Sequence, residues 1–108
     1  MAYFNDRIID AVWEKAKKVE GYNPDIWRQD FAKAWIRKDL YGAKHPFGWA
    51  IDHIKPISKN GTSDIPNLEP LQWQNNIQKG DNYPEFNTVV TSVGNKNIEK
   101  KLSWKMPQ

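Results

Sequence analysis

At 108 residues, 39% hydrophobic and 27% charged, the chain has the length of one compact domain and the composition of a folded globular protein. The absence of cysteine removes disulfides, thiol nucleophiles and Cys-based zinc sites, and no run approaches the ~20 apolar residues that cross a bilayer. A net charge of +3 and a pI near 9.1 ease approach to a polyanion, although the same excess also serves solubility.

Asn5 to Val19 reads as a helix, because Ile8, Ile9, Val12, Trp13, Ala16 and Val19 recur at helical spacing. Asn5 is its expected N-cap and Gly21 its terminator. Lys15, Lys17 and Lys18 suit the negative end of the helix dipole. Gly21-Tyr22-Asn23-Pro24 is turn chemistry. From Asp25 a second helical turn or two is expected, with Ile26, Trp27, Phe31, Ala34 and Trp35 as its apolar members. Trp35-Ile36-Arg37-Lys38 could equally begin a strand. Tyr41 to Gly48 is a loop.

Trp49-Ala50-Ile51-Asp52-His53-Ile54 is short and rich in β-formers, and Pro56 stops it. A polar loop from Ser58 to Asp64 carries the turn dipeptide Asn60-Gly61. Asn67 to Leu71 can return as a short strand interrupted by Pro70. Gln72 to Lys79 has helical composition and is closed by Gly80. At the C-terminal end, Val89, Val90 and Val93 precede Gly94-Asn95, and Ile98, Leu102 and Trp104 follow, which predicts a β-hairpin. Lys96, Lys100, Lys101 and Lys105 make that end basic.

Asp52 and His53 are adjacent on a predicted strand, so their side chains leave on opposite faces. An isolated Asp-His pair carries no functional meaning. Here it opens Asp52-His53-Ile54-Lys55-Pro56 and is followed by a glycine-bearing loop. Asn67-Leu68-Glu69-Pro70-Leu71 and a helix containing Asn76 come next. In that order and spacing the segment resembles the signature of the HNH endonuclease family, over about a third of the chain. The resemblance implies an α+β fold with a ββα-metal (His-Me finger) core at 45–82. A helical extension would occupy 1–44 and a C-terminal β-hairpin 83–108.

The resemblance also implies roles. His53 falls where the family has its general base, Asp52 at the first metal ligand and Asn76 at the last ligand position. Asn67 falls at the middle position, where the side chain braces the loop. Many members carry Cys pairs for a structural zinc; the corresponding positions here are Gln72 and Asn75, so the zinc-knuckle form is excluded. Lys79, one turn beyond Asn76, is a candidate for neutralising phosphate, or else a helix-end lysine favoured by the dipole. Arg37, Lys38, Lys55 and Lys79 are candidate contacts to the DNA backbone, against the alternative of a solvated surface.

Cleaving a phosphodiester requires an activated water and stabilisation of developing charge. Asp52 carboxylate and Asn76 carbonyl are hard oxygen donors that leave most coordination positions to water and phosphate. Such a set favours one Mg²⁺ or Mn²⁺ over Zn²⁺. The expected activity is hydrolysis of DNA with little sequence specificity, by a cytoplasmic protein with no membrane partner. Met1–Arg7 lacks a leader pattern, in keeping with that setting. The alternatives are a binding module that has lost turnover, and an effector or toxin nuclease domain with an immunity partner.

Overall fold

Among the described residues, three antiparallel strand pairs and two α-helices make up the fold. The computed structural model describes residues 4–107. Met1–Tyr3, the start of the stretch read for a leader pattern, and Gln108 lie outside them. Helix α1 spans Asp6–Trp13, and hairpin β1–β2 comprises Trp27–Gln29 and Trp35–Arg37. The central pair is β3 (Trp49–His53) with β4 (Leu68–Gln72), followed directly by α2 (Trp73–Lys79). β5 (Glu85–Val93) and β6 (Lys96–Lys105) form the terminal hairpin. Among the described residues the named strands form three two-stranded sheets, β1–β2, β3–β4 and β5–β6. No described helix is long and apolar enough to cross a membrane.

Helix α1 starts where its sequence requires, with the Asn5 carboxamide accepting from the Ile8 N–H at 3.0 Å. It ends at Trp13, six residues short of the expected Val19. The cause is tertiary. Buried Arg28 donates to the carbonyls of Trp13 and Glu14 at 3.3 and 3.2 Å, using acceptors that a longer helix would need. Lys17 then leaves to pair its backbone with Gln29. Val12, Trp13 and Ala16 bury against Ile36, Trp49, Ile51 and Leu68, so α1 covers one face of the β3–β4 pair.

The second helix expected from Asp25 is instead the hairpin β1–β2, with Trp27 opposite Arg37 and Gln29 opposite Trp35. Lys33 at the turn has φ +67°, which no α-helix contains. The Asp30 carboxylate accepts from the Ala34 N–H at 2.9 Å and closes that turn. The 1–44 segment therefore holds one short helix and a hairpin. The remaining elements follow the sequence closely. β3 and β4 pair in register from Trp49–Gln72 to His53–Leu68, with Pro70 carried inside β4 opposite Ile51. Gln72 caps α2, its side chain accepting from the N–H groups of Gln74 and Asn75, and Gly80 closes it.

Candidate active site

The order β3, loop, β4, α2 brings the ends of three elements to one place. Asp52 and His53 close β3, and α2 packs against β3 and β4. The connecting loop is held by Asn67. Its carbonyl accepts from the Lys55 N–H at 2.9 Å, and its amide donates to the carbonyls of Lys55 and Thr62 at 3.0 and 2.6 Å. Gly61 is obligatory within this loop, since a Cβ there would lie 1.7 Å from the Lys55 carbonyl oxygen. Asn67 thus braces the chain immediately after His53.

His53 is half-buried. Its Nε2 lies 3.0 Å from the Ser63 hydroxyl, and its ring leans on Phe4 with centroids 5.9 Å apart. A hydrogen bond at Nε2 and an aromatic wall set the orientation of the imidazole and leave Nδ1 as the other functional nitrogen. Nothing in the local sequence singled out Ser63 or Phe4, because both reach His53 through the tertiary fold.

Asp52 takes the opposite face and is buried at 6% exposure. The Lys79 ammonium lies 3.1 Å from Asp52 Oδ2 and donates to Oδ1 at 3.3 Å. It also donates to the carbonyls of His53 and Ile54 at 3.0 and 3.1 Å. Lys79 is fully buried, with its ammonium 5.2 Å from the centre of the Phe86 ring. The surface lysine expected at a DNA phosphate is therefore an internal counter-ion, because the α2–β3 packing turns its side chain inward.

Glu69, directly opposite Asp52 in the strand register, is also buried. Burial raises the Asp52 carboxyl, against the lowering effect of its hydrogen bond with Glu69 and of the Lys79 charge. Burial and the adjoining Asp52 push Glu69 up to about 9. Asp52 Oδ2 and Glu69 Oε2 have no hydrogen-bond donor among the described residues. One proton held on Glu69 and shared with Asp52 satisfies both oxygens, since two buried carboxylates in contact cannot both stay ionised. Asn76 is half-buried on α2, one turn before Lys79.

The donor set fits a hard divalent ion. Asp52 offers a carboxylate and Asn76 an amide carbonyl, and both are oxygen ligands. Among the described residues no group of three or more His, Cys, Asp or Glu is placed to hold a metal. An all-side-chain zinc site of that kind is thus absent among them.

Gln72 and Asn75, at the positions of the zinc-knuckle cysteines, are both fully buried in a polar network. Asp30 accepts from the Gln72 N–H at 3.0 Å and from the Asn75 amide at 3.1 Å. The Asn75 amide also donates to the Val90 carbonyl at 2.9 Å, and its carbonyl accepts from the N–H groups of Val89 and Val90. The Asn75 side chain on α2 and the Asp30 carboxylate in the first hairpin thereby tie the helix to its neighbours. Burial pushes the Asp30 carboxyl up to about 6 despite those donors.

The proposed backbone-contacting residues divide. Arg37 is engaged by Asp39 at 2.6 Å and lies over the Trp27 ring at 5.9 Å. Lys38 and Lys55 are exposed, Lys55 on the braced loop two residues from His53. His45 is exposed, and its Nδ1 accepts from the Phe47 N–H at 3.1 Å.

Searches of the curated proteins and of the solved structures found no match. Residues 42–82, less than half of the chain, match the family model described as HNH endonuclease. That segment contains β3, the braced loop, β4 and α2 in unbroken order. Residues 42–82 of this chain are an HNH endonuclease family domain, of the type without zinc-binding cysteines.

Proposed function

We propose that the protein hydrolyses phosphodiester bonds of DNA, with His53 as general base and little sequence specificity. The observation that carries this reading is the convergence at the end of β3. A half-buried His53 oriented by Ser63 adjoins a buried Asp52 carboxylate, and α2, which packs against β3, carries Asn76. For Nδ1 to accept a proton, Nε2 must carry one and donate it to Ser63 Oγ. Nδ1 then removes a proton from water as that water attacks phosphorus in line, and the P–O3′ bond breaks. Imidazole suits this step because a ring nitrogen that carries no proton can accept one from water.

Asp52 and Asn76 are the residues that would hold the divalent cation, with Mg²⁺ or Mn²⁺ favoured over Zn²⁺ by their hard oxygen donors. When bound, such an ion supplies charge stabilisation at the phosphate and at the leaving 3′-oxygen. Asn67 keeps the loop behind His53 in place, and exposed Lys38 and Lys55 are available to phosphates flanking the cut.

The test is nicking of supercoiled plasmid with Mg²⁺ by the wild type and by His53→Ala. The variant is expected to lose roughly 10²–10⁴-fold in rate, the usual worth of a general base. Absence of nicking in both proteins, with a retained gel shift, would replace the enzyme by a binding module. Activity maximal with Zn²⁺ and absent with Mg²⁺ would overturn the ligand assignment.

A further inference from the structure

β6 carries four lysines, and strand alternation alone would divide Lys96 and Lys100 from Lys101 and Lys105 across its two faces. The pairing with β5 removes that division. Lys105 stands opposite Glu85 and Ser103 opposite Asn87, while beyond the irregularity Ile98 stands opposite Thr91 and Lys96 opposite Val93. The register shifts between Thr88 and Val90, so Lys100 and Lys101 together face Val89. Directly paired residues share a face. Lys96, Lys100, Lys101 and Lys105 therefore all lie on the face of Glu85, Asn87, Val89, Thr91 and Val93. All four lysines are exposed, and Glu85 is the single acid in that row. The opposite face carries most of the packing: Trp104 donates to the Thr88 hydroxyl at 2.8 Å and meets the Phe31 ring, and the Asn97 amide donates to the Trp35 carbonyl. On the lysine-bearing face Thr91 is buried and donates to the Ala32 carbonyl at 2.7 Å, while its neighbours in the row are half-buried or exposed.

We propose that this face of β6 is a second contact surface for the nucleic-acid backbone, outside the cleavage centre. The proposal rests on the nuclease reading above. The strand extends the row over roughly 30 Å at about 3.3 Å per residue, and duplex DNA of that length presents a dense row of phosphates. α2 ties this hairpin to the catalytic segment through Asn75 and Val90, so a duplex held by β6 stays registered to the β3 end. The row reads charge and not base edges, in keeping with weak specificity. The competing role for these lysines is protection of a free strand edge against pairing with another chain. It predicts no special effect on DNA.

The experiment measures binding of a fluorescein-labelled 20-base-pair duplex in EDTA as a function of NaCl. Wild type is compared with Lys96, Lys100, Lys101 and Lys105 all changed to Gln. A control changes Lys17, Lys18, Lys33 and Lys44 to Gln, an equal loss of charge elsewhere on the surface. If all four β6 lysines neutralise phosphates, the slope of log K against log salt falls by about 3–4, and by about half that in the Lys100→Gln/Lys101→Gln pair. The control keeps the wild-type slope. An unchanged slope in the β6 variant, or an equal fall in both quadruple variants, overturns the proposal. A wild type that nicks plasmid while the slope ignores β6 leaves the nuclease reading intact. A wild type that neither binds nor nicks overturns both.

Discussion

The Lys79 ammonium is bound to both carboxylate oxygens of Asp52, at 3.1 and 3.3 Å, and to two carbonyls at the end of β3. It stands where a cation would be drawn. Replacing it with Met leaves a buried charge uncompensated, at a cost of about 3–5 kcal/mol. For a domain of this size the thermal midpoint should fall by more than about 10 °C. Millimolar Mg²⁺ should raise the midpoint of Lys79→Met more than that of the wild type, because an ion at Asp52 replaces the missing charge. Equal response of the two proteins in a thermal melt would argue that Asp52 is not a ligand.

Ser63→Ala removes the only hydrogen-bond partner that His53 Nε2 has among the described residues. One hydrogen bond is worth about 0.5–1.5 kcal/mol, so kcat should fall about 2- to 10-fold with little change in KM. Ser63→Thr, which keeps the hydroxyl, should restore most of it. A rise in KM at constant kcat would assign Ser63 to substrate binding.

Asn67→Ala should be felt more in activity than in stability. Its three hydrogen bonds are partly exposed, and water can replace them, so the cost is about 1–2 kcal/mol. The loop behind His53 nevertheless loses its brace, and kcat/KM should fall at temperatures where the variant is still folded. Full activity in a folded Asn67→Ala protein would remove the bracing role.

Asp30 gives a pH signature. Its folded carboxyl titrates near 6, above its ordinary value of 3.8, so the folded state binds the proton more tightly than the unfolded chain. The stabilisation from this group is complete below pH 4, and it is lost as pH rises from about 4 to about 6. With no solvent screening to discount, the two-unit difference corresponds to about 3 kcal/mol. Asp30→Asn should flatten that part of the stability curve in chemical denaturation. It should also lower stability overall, because an amide nitrogen then opposes the donors of Gln72 or Asn75. A slope between pH 4 and 6 that survives in the variant would assign it to another group.

The segment that matches the family model was legible because its determinants are local and ordered. Asp52, His53, Asn67 and Asn76 sit at characteristic intervals, and Gln72 and Gly80 mark the ends of α2 by capping chemistry alone. The terminal hairpin was legible from Gly94-Asn95 between β-branched runs. The hairpin β1–β2 was not, since three-residue strands are too short to show a period and the residue at positive φ is a lysine. The early end of α1 depends on Arg28, fifteen residues away. Burial of Lys79 and Glu69 is likewise a property of packed elements, and a charged residue gives no local signal that it will be enclosed.

Hydrogen bonds from the Gln72 N–H and the Asn75 amide to Asp30 hold the start of α2 in place. The framework and the reaction therefore draw on different resources. Chelation should stop turnover and leave the folded molecule intact, and restoring the ion should return activity without a refolding step. In metal-poor surroundings such a protein can persist in an idle form, ready to act when the ion arrives.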